Sequence, residues 1–195
     1  MKFQVHAQIT FRDIKTGKII RKTRKKLCNS YLANLINLLW SMMGNQSQSL
    51  TDTSNAAKTA LYGSATAGTY AMFAAAGASD TTYGIVAGTG SGAVAITDYK
   101  LGTLILHGTT STKLSYGAVS IGACATVSTT RQFTIARTLT NLSGSDITVN
   151  EIGLYIRCQD TGAGQIYLCI ERSLLTFTIT NGTSGTVTYT ISATV

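Results

Sequence analysis

The side chains that could do chemistry are few, and their spacing gives them little to do. Gly88-Thr89-Gly90-Ser91-Gly92-Ala93 matches the pattern G-x-G-x-x-A and follows a strand-like run. A dinucleotide fingerprint works only where a helix begins at the glycines, because the first helical amides hold the pyrophosphate. Here β-type sequence follows, and no acidic residue stands about twenty positions on, so the segment reads as a glycine turn. His107 would need a serine or cysteine and an acid beside it to act as a base; in its Gly- and Thr-rich turn it reads as a locally satisfied side chain. The spacing of Asp98, Asp146 and Glu151 follows no EF-hand or repeat calcium loop. Glu151 reads instead as an inter-strand ion pair with Arg137, and Glu171-Arg172 as an edge or interface pair. The four cysteines (Cys28, Cys124, Cys158 and Cys169) contain no C-x-x-C, and with only His6 and His107 beside them they offer no close zinc set. They read as buried free thiols, with a Cys158–Cys169 disulfide left open because the two fall on neighbouring strands. The expectation is a chain that is not an enzyme, with no catalytic residues, no cofactor, no metal and no small-molecule substrate.

The elements that carry these residues are sparsely charged. Of 195 residues 44% are hydrophobic and 12% charged, about half the usual charged share of roughly 25%. That composition suits a sizeable core and a surface that meets other subunits. Proline is absent, so nineteen glycines do most of the turn work. The net charge of +8 is concentrated: residues 1–26 hold nine basic groups against Asp13 alone, and the seven basic and seven acidic residues that follow cancel. No apolar run reaches the roughly 20 residues of a membrane span, and MKFQVHAQITF lacks the apolar region of a signal peptide. The expected place of synthesis and assembly is the cytoplasm, with no membrane contact.

Phe3, Val5, Ala7, Ile9 and Phe11 alternate with polar residues, which predicts a half-buried strand. A turn at Asp13–Lys18 returns the chain as a second, basic strand. Its cations Arg21, Lys22, Arg24, Lys25 and Lys26 have two readings: a solvated edge strand protected from aggregation, or a surface facing DNA or an acidic partner. Asn29 or Ser30 can cap a helix running to about Met43. Its apolar face is so broad that one side is expected to pack on a neighbouring subunit, with Leu32, Leu35, Leu39, Trp40 and Met43 at the assembly interface. The polar stripe is Ser30, Asn34, Asn37 and Ser41. Residues 45–81 read as a polar linker. From residue 82 short strands follow one another: YGIVAGTG, AVAITDY, LGTLILHG, KLSYGAVSI, RQFTIARTLTNL, DITVNEIGLYIRC, QIYLCIERSLL, LTFTITNG and TVTYTISATV. Strands at this spacing without helices between them predict a mainly β chain, an antiparallel β-sandwich of jelly-roll-like type. The expected organisation is therefore an N-terminal hairpin-and-helix arm over 1–44, a linker over 45–81 and a β-sandwich body over 82–195.

Taken together, YGIVAGTGSGAVAITDYKL, LSYGAV, NLSGSDITVNEIGLYI and the closing TVTYTISATV resemble a β-rich domain of tailed-bacteriophage virion proteins, and FRDIKTGKIIRKTRKKLCNSYLANLINLLW resembles the opening of such proteins. The resemblance covers 1–43 and 82–195 and rests on packing and turn signatures. It implies a virion structural subunit (a head-decoration, neck or tail component), assembled in the host cytoplasm with copies of itself and other virion proteins; in such a subunit the basic strand would face an acidic neighbour or packaged DNA. The alternatives are a nucleic-acid-binding module built on the basic hairpin and a host-binding adhesin domain.

Overall fold

The computed structural model describes residues 2–28, 31–44, 49–59, 72–160 and 164–194, with backbone alone for residues 2 and 40–44. The alternation read at the N-terminus builds β1 (Lys2–Asp13), which buries Val5, Ala7, Ile9 and Phe11. β1 pairs along its whole length with the last strand, β12 (Thr183–Thr194), from Lys2↔Thr194 to Asp13↔Thr183. The short strands β2 (Ile19–Lys22) and β3 (Lys26–Leu27) pair with the other edge of β1. β9 (Thr130–Thr140) follows β12, and β7 (Ser115–Ile121) and β8 (Ala125–Val127) pair with β9. These seven strands form the large sheet, in the order β2-β1-β12-β9-β7 with β3 and β8 beside the path. The expected N-terminal arm is thereby corrected. β1 lies inside the body's own sheet because its apolar face belongs to the same core as Val187 and Tyr189.

The small sheet has three antiparallel strands, β11 (Gln165–Ile179), β10 (Ile147–Gln159) and β6 (Gly84–Gly88). One of its faces packs on the large sheet: Ile152, Leu154, Ile156, Leu168 and Ile170 share a cluster with Ala7, Ile9, Leu139 and Tyr189. The chain is therefore mainly β, two antiparallel sheets face to face with one helix. The linker assigned to 45–81 is partly folded. β4 (Ser49–Thr51) and β5 (Ala57–Thr59) form a hairpin, and Leu50 enters the core; residues 60–71 lie outside the described residues. QIYLCIERSLL and LTFTITNG make one continuous strand, β11, instead of two. AVAITDY and LGTLILHG do not form strands beyond isolated bridges at Leu104 and His107.

Segment 89–104 instead wraps the outer face of the small sheet, and a carboxylate holds it there. Glu151 is 0% exposed. It accepts the backbone N–H groups of Gly90 (3.0 Å), Gly102 (3.1 Å) and Thr103 (2.9 Å), and the Nε of Arg172 at 2.7 Å. Arg172 also pairs with Asp98 at 2.7 Å and donates to the Gly92 carbonyl at 3.0 Å. The glycines are required by the closeness of the carboxylate. A Cβ on Gly88 would lie 2.6 Å from Glu151 Oε1, and one on Gly90 closer still. Glu151 thus pairs with Arg172 and not with Arg137. Glu171 and Arg172 form no pair with each other, because successive strand residues point to opposite faces. Arg137, also buried, donates to the carbonyls of Gly117 (2.8 Å), Ile85 (3.0 Å), Gly77 (3.0 Å), Tyr83 (3.3 Å) and Asp80. Its guanidinium lies 4.8 Å from the centre of the Tyr116 ring.

Removing one partner of a buried ion pair strands the other without solvent, at a cost of about 3–5 kcal/mol. Glu151→Ala is expected to lose stability of that order in urea unfolding. Asp98→Ala, whose side chain is one-quarter exposed, is expected to lose about 1 kcal/mol or less. Equal losses for the two variants would contradict the role given to Glu151.

Candidate assembly surface

The helix predicted from Asn29 or Ser30 begins later, at Ala33, and runs to Gly44 as α1; Asn29 and Ser30 lie outside the described residues. Its N-terminal amide at Ala33 is taken by the Ile96 carbonyl at 2.9 Å. The polar stripe is inverted from expectation at Asn34. That side chain is buried, and its amide binds both backbone groups of Thr51, donating to the carbonyl at 2.7 Å and accepting the N–H at 3.2 Å. An asparagine satisfied in this way can face inward as a strand neighbour would. The turn of the helix follows from it. Leu38 faces the core, while Ile36 is 58% and Leu39 is 40% exposed.

The residues expected at an assembly interface therefore divide. Leu32 is a correction: its N–H bonds the Ile170 carbonyl at 3.1 Å, and its side chain is wholly buried beside Leu101, Tyr155 and Cys169. It has no surface to offer a neighbour. Leu35 is half-buried against the main core, Leu39 is open, and the side chains of Trp40 and Met43 lie outside the described residues. Ile36, placed only within the broad apolar face of the helix, is the outward residue one turn before Leu39.

Leu35 and Leu39 form one wall of an apolar groove of about 320 Å³, closed by Phe3, Tyr31, Met72, Phe133 and Ile191. Phe3 is 54% exposed, and its ring lies 5.6 Å from that of Tyr31. The Tyr31 hydroxyl is buried without a hydrogen-bond partner among the described residues. Burial, then the nearby Glu171 carboxylate, push its phenol up to about 12. At the floor of the groove Glu171 accepts hydrogen bonds from Ser173 and from Tyr189 of β12, so it ties the two sheets together. Burial pushes this carboxyl up to about 7, against the opposing pull of those two hydrogen bonds.

The basic residues Arg21, Lys22, Arg24, Lys25 and Lys26 are all exposed along the β2–β3 edge, away from this groove's walls. Lys26 reaches the Leu174 carbonyl at 2.7 Å, and the Arg21 guanidinium lies 4.2 Å from the centre of the Phe11 ring. Elsewhere the candidate groups are engaged locally. His107 Nδ1 accepts the Tyr116 N–H at 3.1 Å, and Asp146 accepts the Asn181 N–H at 2.9 Å. Among the described residues no three His, Cys, Asp or Glu side chains gather as metal ligands. All four cysteines are unpaired, and three are buried; Cys124 is exposed. Cys158 and Cys169 belong to different apolar clusters, Cys158 between the sheets and Cys169 on the outer face. A second hollow of about 340 Å³, between Lys100, Thr81, Thr82 and Tyr167, lies on the outer side of the small sheet. No known family, curated protein or solved structure matches this chain.

A carboxyl whose folded pKa is raised binds its proton more tightly folded than unfolded. Its contribution is complete below the ordinary value of 4.5 and is lost as pH rises through about 7. Stability is expected to fall across that window by roughly 3 kcal/mol from this group. Glu171→Gln should flatten the decline, as read from urea midpoints across the window. A wild-type profile that rises there, or an unchanged slope in the variant, would contradict the assignment.

Proposed function

We propose that this chain is a non-catalytic structural subunit of a tailed-bacteriophage virion, a head-decoration, neck or tail component that assembles with copies of itself and with other virion proteins. The resemblance of its packing and turn segments to such proteins supports the virion setting. The observation that carries the assembly role is the open apolar groove lined by the outward residues Leu39 and Phe3, with Ile36 exposed on the same helix. Contiguous exposed apolar surface is what protein–protein contacts bury. The interior charges Glu151, Arg172 and Arg137 spend their hydrogen bonds on the chain's own backbone and on each other. That use suits a scaffold better than a reaction site. A lasting contact would bury roughly 1,200 Å² or more in total, so the groove and helix would form the centre of a wider interface.

Sedimentation velocity of the full chain at low and high salt tests the proposal. Assemblies are expected that persist in high salt, because apolar contacts are not screened. Ile36→Asp with Leu39→Asp should return the chain to monomers with its β circular dichroism intact, since both side chains are exposed. A wild-type chain that stays monomeric at every concentration, or a double variant that assembles like the wild type, would overturn the role of this surface.

A further inference from the structure

The β2–β3 edge is a separate surface, and its chemistry differs from that of the groove. The return strand from Ile19 to Leu27 is paired along β1 from Arg12 to His6. Eight steps (27 − 19) therefore accompany six (12 − 6), and the surplus is taken up in irregular backbone with a register shift between Phe11 and Arg12. Every residue from Arg21 to Lys26 is exposed except Thr23, which is half-buried. None of the cations in this run is in a salt bridge among the described residues. The one acid of the segment, Asp13, is turned to its own loop, accepting the N–H and hydroxyl of Thr16 at 2.7 and 2.8 Å. Six cations, Lys18, Arg21, Lys22, Arg24, Lys25 and Lys26, thus stand on one edge without a salt bridge among the described residues, from the level of Asp13 to that of Ala7 on β1, over about 20 Å (six steps at roughly 3.4 Å each).

Three kinds of occupant could meet such an edge. An added β-strand needs a regular ladder to copy, and irregular pairing with lysines is the device that spoils one. A protein interface needs an apolar centre, from which lysine is normally depleted. The run Arg21-Lys22-Thr23-Arg24-Lys25-Lys26 contains no apolar residue. What remains is a partner that offers dense, repeated negative charge. We propose that this edge binds the phosphate backbone of duplex nucleic acid, independently of base sequence, through Lys18, Arg21, Lys22, Arg24 and Lys25. A duplex presents a phosphate on each strand every 3.4 Å or so, so the edge spans enough phosphates for all five cations. No side chain with base-reading geometry is needed, and no sequence preference is expected.

The test uses the full chain, a fluorescently labelled random-sequence duplex, and anisotropy between about 50 and 200 mM salt, where each neutralised phosphate contributes about −0.9 to the slope of log K against log salt. Five cations give an expected slope of roughly −4.5, equal for unrelated sequences. Lys22→Ser/Arg24→Ser/Lys25→Ser should weaken binding more than about tenfold at the low-salt end and remove roughly 2.7 from the slope. Its thermal midpoint should be unchanged, because the three side chains are exposed. Absence of binding at low salt, or undiminished binding by the triple variant, would overturn the proposal. So would displacement of the duplex by polyglutamate, or by phosphatidylserine vesicles, at equal charge, since the partner would then be an acidic protein or a membrane surface. The Ile36/Leu39 variant should bind duplex as well as the wild type does once compared as monomers. Failure of this proposal is thereby separated from failure of the assembly role.

Discussion

A carboxylate without water around it must have its lone pairs occupied by donors, and Glu151 takes three of them from one loop. The amides of Gly90, Gly102 and Thr103 converge on its two oxygens, and Arg172 neutralises it at 2.7 Å. The dependence runs both ways. The carboxylate is too costly to bury without the loop's amides, and it closes the loop over the sheet. Once it is closed, Leu101 enters the second apolar cluster with Val86 and Tyr155, and the Tyr155 hydroxyl accepts the Leu101 N–H at 2.5 Å. The small sheet is thus covered by this loop on its outer face as well as by the large sheet on its inner one.

The same substitution of side chain for strand recurs at the sheet's margins. Arg137 and Tyr116, both from the large sheet, reach the backbone of β6: Arg137 donates to the Ile85 carbonyl, and Tyr116 accepts the Ala87 N–H at 3.2 Å. Asn34 serves Thr51 in the same way on the helical side. Asn141, wholly buried, donates to the carbonyls of Ser145 and Ile179 and fixes the turn that leads into β10. Backbone groups that would otherwise need another strand are satisfied internally, and this bounds the small sheet. Among the described residues the outward surface includes an apolar groove at the helix and a line of cations at the β2–β3 edge.

Much of the fold was legible because β-strands leave a period of two. Phe3 to Phe11 read correctly from alternation alone, and TVTYTISATV was placed as the closing strand. The signal failed where the pairing shifts. β10 turns Ile147 and Val149 to the core, then Ile152, Leu154 and Ile156, across a register shift between Val149 and Glu151. Beyond that shift Glu151 therefore falls on the outer side and pairs with Arg172 in place of Arg137. LGTLILHG has strand-like composition, but its amides at Gly102 and Thr103 serve a carboxylate about fifty residues away in sequence, which local periodicity cannot report. At the candidate surface, helical spacing found the apolar stripe but not its direction. Asn34 looked solvent-facing because nothing in its neighbourhood announces that Thr51 will satisfy it. The GTGSG segment was the available clue, since glycines too close for a Cβ mark a near approach, here by the chain's own Glu151.

On the proposed reading the reactive-looking groups hold the fold together, and the function lies in contacts made by the surface. The claim rests most directly on Glu151, so the measurement to make is native-state hydrogen exchange at Gly90, Gly102 and Thr103. Amides bound to a buried carboxylate should open only with the whole fold, with the same free energy as the central amides of β10 and β11. Exchange orders of magnitude faster than β10, as for an ordinary glycine loop at the surface, would contradict the account.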